Sequence, residues 1–118
     1  LDRMLRRIRR AYPDLVVVAN RGFDQREGVG AIADAMVFES FTTYYDGARY
    51  RPWEGNDLAW TEVVAERLMA IEPAIPLLTI DYAAPDDTQL RARAEQRARA
   101  HGFVPFVTTY ALDWLPSA

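Results

Sequence analysis

Four apolar runs without polar alternation constrain this chain more than any other feature. Leu15-Val16-Val17-Val18-Ala19 stops at Asn20, and Ala35-Met36-Val37-Phe38 stops at Glu39. Ile75 to Ile80, polar only at Thr79, ends at Asp81-Tyr82, and Phe103 to Thr109 leads into Tyr110. A strand that is apolar at consecutive positions is buried on both faces, as parallel strands are. The runs recur roughly every 20 to 40 residues with helix-compatible segments between them, the rhythm of parallel βαβ architecture. Antiparallel hairpins are not expected from this rhythm.

The intervening segments supply the helices. Residues 2–11 place Leu5, Ile8 and Ala11 at helical spacing among arginines, and Pro13-Asp14 ends the helix. Gly28 to Ala33 has room for one short helix. Asn56 is a suitable N-cap for a helix through Glu72, with Trp60, Val64, Leu68 and Ile71 on one stripe and Pro73 as its stop. Asp86 or Asp87 caps an Ala- and Arg-rich helix that stops at Gly102. His101, at that helix C-terminus, suits a capping role better than a catalytic one. Between the second strand and the Asn56 helix lies a loop, Ser40 to Asn56, longer than most connections in compact domains and therefore a functional candidate.

Two closures fit this order at 118 residues in a single domain: a small open doubly wound sheet, or half of an eight-stranded barrel of about 250 residues. The chain does not begin with Met and a helix is already under way, so a piece of a longer protein is expected. Cys is absent, Lys is absent and there is one His, which excludes thiolate chemistry, a Walker lysine and a Cys-based zinc site. No Gly-x-Gly-x-x-Gly or Gly-x-Ser-x-Gly motif follows a strand, so no cofactor and no metal are expected. A formal net charge of -3 argues against nucleic acid, and no apolar stretch is long enough to span a bilayer. Carboxylate chemistry is what remains.

In both closures functional side chains gather at the carboxyl ends of strands. Asn20, Glu39, Asp81 and Thr109-Tyr110 occupy those ends. Glu39 is the sharpest of them, because Glu is disfavoured in strands and this one follows Met36-Val37-Phe38, where desolvation could lift its pKa toward that of a general acid. Asp81 has similar neighbours, in a region that also uses Asp for caps. The long loop contributes Phe41, Tyr44, Tyr45, Tyr50 and Trp53, flat rings suited to sugar faces or to packing over the sheet.

Read with their neighbours, the strand ends form an ordered set. Arg10-Ala11-Tyr12-Pro13-Asp14 leads to Val18-Ala19-Asn20-Arg21-Gly22, followed by Val37-Phe38-Glu39-Ser40, Ile80-Asp81-Tyr82-Ala83 and Gly102-Phe103-Val104-Pro105-Phe106-Val107-Thr108. In that order they resemble glycoside hydrolase family 114, the endo-α-1,4-polygalactosaminidase-like barrels. The resemblance spans nearly the whole chain and the second half of that family's (β/α)8 barrel, strands five to eight. It implies that Glu39 is one of two catalytic carboxylates acting on an α-linked amino-sugar polysaccharide. It also implies that Asn20, Asp81 and Tyr82 line the substrate pocket, beside which the aromatics Tyr44, Tyr45, Trp53 and Tyr110 are expected to bind substrate. The second carboxylate, an Asp ending strand four, would come from the N-terminal half of the barrel in the full-length protein, and a secreted or periplasmic setting would follow. Two alternatives stay open: a polysaccharide-binding or exopolysaccharide-assembly domain without turnover, and an unrelated small α/β ligand-binding domain.

Overall fold

A computed structural model describes residues 2–21, 32–71 and 74–117. The chain runs through α1 (Asp2–Ala11), β1 (Val18–Asn20), β2 (Ala35–Glu39), β3 (Thr43–Tyr45), β4 (Tyr50–Pro52), α2 (Gly55–Met69), β5 (Leu77–Tyr82), α3 (Thr88–Ala100) and β6 (Val104–Thr108). Strands β1, β2, β5 and β6 form one parallel sheet in that order, and it is open at β1 and β6. This is the expected α/β fold of parallel strands alternating with helices.

The helices identify which face of the sheet is covered. Parallel register aligns Ala19 with Met36, Met36 with Leu77, Phe38 with Thr79, and Thr79 with Pro105. Leu5 of α1, Val64, Ala65 and Leu68 of α2, and Ala98 of α3 share one buried cluster with Ala19, Met36 and Phe38. Leu90 and Ala94 of α3 pack with Val107, whose partner Asp81 lies two residues beyond Thr79. Strand side chains alternate faces with a period of two, so all three described helices lie on one side. A doubly wound sheet carries helices on both.

The opposite face carries Val18, Val37, Leu78, Ile80, Val104 and Phe106, with Val18 and Val104 about half exposed. One apolar face covered by helices and a second apolar face turned away from them explain why the strands read as continuous apolar runs. Burial on the helix side is dense: Met36, Phe38, Phe41 and Ala65 have essentially no exposure. Each large side chain among them contributes about 1.5 to 3 kcal/mol.

Three local expectations change. The segment over 40–56 is not a plain loop, because Thr43–Tyr45 and Tyr50–Pro52 pair as an antiparallel hairpin. Aromatic and β-branched residues flanking a turn at Asp46-Gly47 favour this, with Gly47 at φ +97 and Asp46 accepting the amides of Ala48 and Arg49. Helix α2 starts one residue before Asn56, after an extended Glu54 that makes no side-chain cap. Its stripe is Thr61, Val64, Ala65 and Leu68, while Trp60 is half exposed. The expected helix over 28–33 lies largely outside the described residues, as does the stop at Glu72 and Pro73; Ile32 and Ala33 are described and buried. The cap of α3 is Asp87, whose carboxylate accepts the Leu90 amide at 3.0 Å. Gly102 at φ +77 follows its C-cap His101.

Candidate functional site

Register alone brings three of the expected residues together. Asn20 aligns with Val37, and Glu39 lies two residues beyond Val37 on the same face. Glu39 aligns with Ile80, and Tyr82 lies two residues beyond Ile80. The three side chains therefore meet at the carboxyl ends of β1, β2 and β5, on the face that no described helix covers. Tyr82 donates its hydroxyl to Glu39 Oε1 at 2.5 Å, and Asn20 Nδ2 donates to Glu39 Oε2 at 3.0 Å. Arg21 adds a guanidinium bond to the Glu39 carbonyl at 2.9 Å.

These donors overturn the electrostatic expectation for Glu39. The Tyr82 hydroxyl, then the Asn20 amide, hold its carboxyl below the usual carboxylate range, outweighing the partial burial that would raise it. Each carboxylate oxygen accepts one neutral donor and keeps lone-pair capacity for an incoming group. Tyr82, nine-tenths or more buried, has its hydroxyl pushed well above the ordinary tyrosine value, by burial first and by the bond to Glu39 second. The pair is thus an ionised carboxylate facing a neutral phenol.

The two residues that follow the strand ends are both left-handed without being glycine: Arg21 at φ 60 and Ser40 at φ 56. Such conformations persist only where the surroundings over-determine them, and they concentrate at functional sites. Both amides continue the sheet ladder beyond the strand, Arg21 to Val37 O at 3.0 Å and Ser40 to Ile80 O at 2.7 Å.

Asp81 takes a different place from its neighbour Tyr82. It points to the helix side and is fully buried, so it stands beneath the rim rather than on it. Its Oδ1 accepts the amides of Thr42 at 2.7 Å and Thr43 at 2.8 Å, and burial pushes its carboxyl up to about 6 despite those bonds. Alternation along β5 decides this, because a residue adjacent to a rim residue necessarily faces the other way.

The aromatics sort by the same rule on the hairpin. Tyr45 faces Tyr50 and stacks on Tyr110 with centroids 4.8 Å apart, and Tyr110 meets the edge of Tyr82 at 5.6 Å. Tyr110 is more than half exposed. A run of rings thus leads from the Glu39–Tyr82 pair to solvent. Tyr44 instead stacks on Trp53 at 3.9 Å on the hairpin's other side, beside an open cavity of about 200 Å3 lined by Arg51, Pro52, Glu54 and Asp57 as well. Trp53 Nε1 reaches back to Ser40 O at 2.8 Å.

One buried contributor to the site's framework lies outside the reach of strand-end reasoning. Arg97 of α3 donates to Phe41 O, Thr42 Oγ1 and Thr61 Oγ1, pairs with Glu62 at 2.6 Å, and lies 3.9 Å over the Phe41 ring. It is one of several arginines in an Ala- and Arg-rich helix. Only its place between Ala94 and Ala98, on the helix face of small buried residues, marks it out. His101 caps α3 as expected, with Nδ1 against Arg97 O at 2.8 Å, and its Nε2 also meets Glu62 at 2.6 Å. Among the described residues, no group of three His, Asp or Glu side chains could hold a metal ion, and no helix is long and apolar enough to cross a membrane.

No family model matches the chain, and no curated protein matches it. Solved structures do. The glycoside hydrolase domain of PelA from Pseudomonas aeruginosa is 33% identical, with a TM-score of 0.78 over 97% of this chain and 45% of that one. A variant of the same domain with a Glu-to-Ala substitution gives 32% identity and a TM-score of 0.77, with the same coverage. The chain thus spans less than half the length of these neighbours, and over that span its fold is glycoside hydrolase-like.

Proposed function

We propose that this chain forms part of a glycoside hydrolase that cleaves an α-linked amino-sugar polysaccharide internally, as the endo-α-1,4-polygalactosaminidases do, with Glu39 as one of its two catalytic carboxylates. The observation that supports this most is the Glu39 carboxylate at the end of β2, ionised and oriented by Tyr82 and Asn20 on the sheet face that no described helix covers. Likeness to the PelA glycoside hydrolase domain supports the reaction class.

Glycoside hydrolysis uses an acid that protonates the leaving oxygen and a carboxylate that either attacks the anomeric carbon or activates a water. A Glu held below its ordinary pKa suits the second role, as nucleophile or base, rather than the acid role that its apolar neighbours suggested. The acid then belongs to the second carboxylate, expected at the end of the strand before β1 in barrel order. A spacing of about 5 to 5.5 Å between the two gives retention, and about 6.5 to 9.5 Å gives inversion. Tyr110 and Tyr45 offer ring faces to sugars flanking the cleaved bond, while Asp81 belongs to the scaffold.

The test is Glu39→Gln in the full-length protein, assayed by reducing-end release from an α-1,4-linked galactosamine polymer. Gln keeps an acceptor for Tyr82, so the fold should persist while hydrolysis disappears. Unchanged hydrolysis would refute the assignment. Absence of hydrolysis in the unaltered protein, with retained polymer binding, would favour a binding or assembly domain.

A further inference from the structure

Glu39 runs directly into a strap, residues 40–43, most of whose polar groups are committed. The Ser40 carbonyl accepts Trp53 Nε1 at 2.8 Å, and its amide donates to Ile80 O at 2.7 Å. Arg97 Nη1 donates to the Phe41 carbonyl at 2.5 Å, and the Thr42 carbonyl accepts the Trp53 amide at 2.9 Å. The amides of Thr42 and Thr43 both donate to Asp81 Oδ1. Thr43 Oγ1 then accepts the Tyr82 amide at 2.8 Å, so Asp81 is tied to the residue that holds Glu39.

This closes a ring. Asp81 fixes Thr43, Thr43 fixes the backbone of Tyr82, Tyr82 fixes the Glu39 carboxylate, and the chain from Glu39 returns through left-handed Ser40 to Thr42 and Thr43. Neither Asp81 nor the guanidinium contacts of Arg97 reach the open face. A buried carboxylate whose Oδ2 finds no hydrogen-bond partner is costly to keep, and a fold retains such a group where its bonds specify one geometry.

We propose that Asp81 and Arg97 are positioning residues for Glu39: they lock the strap and its left-handed turn, and so set the direction in which the carboxylate meets Tyr82 and the substrate. The inference rests on the function proposed above only for its kinetic consequence. Its geometric content concerns Glu39 alone.

The experiment uses the full-length protein with 13C-labelled Glu carboxyls, following Glu39 by NMR titration, with hydrolysis of the galactosamine polymer as a second readout. The variants are Asp81→Asn, Asp81→Ala, Thr43→Val and Arg97→Met. Asp81→Asn keeps Oδ1 as acceptor and should retain Glu39's low titration midpoint. Asp81→Ala, Thr43→Val and Arg97→Met slacken the Tyr82 bond, so the Glu39 midpoint should move up. kcat should fall about tenfold for each, with KM within twofold, as expected for a misaligned group rather than a lost contact. Thr43→Val preserves volume and stays informative even if Asp81→Ala fails to fold. A Glu39 midpoint unmoved in folded Thr43→Val and Arg97→Met proteins would overturn the proposal. A shifted midpoint in a protein that never hydrolysed the polymer would uphold the positioning and refute the function.

Discussion

Replacing Tyr82 with Phe removes one atom from the bond that dominates the electrostatics of Glu39. The ring itself is 5% exposed and packs edge-on against Tyr110, so Phe fits the same space and the fold should hold. What is lost is a hydrogen bond of 2.5 Å from a neutral phenol to a carboxylate. Bonds to charged groups contribute about 1.5 to 3 kcal/mol. Tyr82 is also the largest single cause holding the Glu39 carboxyl down, so its loss must raise the Glu39 pKa. If ionised Glu39 performs the chemistry, the acid limb of the kcat/KM profile for the galactosamine polymer moves to higher pH. The rate at the plateau falls by roughly 10- to 150-fold, the kinetic equivalent of that bond. The assay is reducing-end release by the full-length protein between pH 4 and pH 8, alongside NMR titration of Glu39. An acid limb that stays in place while the Glu39 midpoint rises would show that another group governs the ionisation, and the reasoning would fail.

Other consequences follow from the same contacts. Burial raises the Asp81 carboxyl from 3.8 to about 6, so between those values the folded protein binds more protons than the unfolded chain. Stability is then fullest below the unfolded pKa and is lost as pH rises through about 6, by up to ~3 kcal/mol. Asp81→Asn lacks this dependence, and calorimetric melting at pH 4 and pH 7 should show the variant gaining on the parent. Parallel pH profiles would refute it. Phe38→Ala empties a site with 1% exposure between Phe41 and Trp60 and should cost about 3 to 5 kcal/mol in chemical denaturation. Tyr110→Ala removes an exposed ring from the run leading to Glu39. If that run carries sugar, KM should rise about three- to tenfold with kcat nearly unchanged, and an unchanged KM would remove Tyr110 from the binding surface.

Much of the fold was legible because parallel strands that are apolar on both faces leave an unmistakable trace. Val37-Phe38-Glu39 and Thr79-Ile80-Asp81 mark both the strand and its carboxyl end, and those ends do carry Asn20, Glu39 and Tyr82. The choice of face was not legible. Asp81 and Tyr82 are adjacent in sequence, yet one is scaffold and the other touches Glu39, and only inter-strand register separates them. The ionisation of Glu39 was misjudged for a related reason: neighbours in sequence suggested desolvation, while partners 19 and 43 residues away supply the hydrogen bonds that win. The hairpin was hidden by its own shortness, three residues a side, inside a segment whose length suggested a loop. Arg97 was hidden among many arginines, because a charge on an Ala-rich helix reads as solvated until packing places it over Phe41.

The central claim is that Glu39 acts on the glycosidic bond, and a crystal structure of full-length Glu39→Gln protein with a galactosamine oligosaccharide tests it most directly. The account predicts an anomeric carbon about 3 to 3.5 Å from the residue-39 side chain, or separated from it by a single water, with flanking sugars over Tyr110 and Tyr45. An oligosaccharide seated only in the cavity beside Tyr44 and Trp53, with position 39 facing empty solvent, would contradict it.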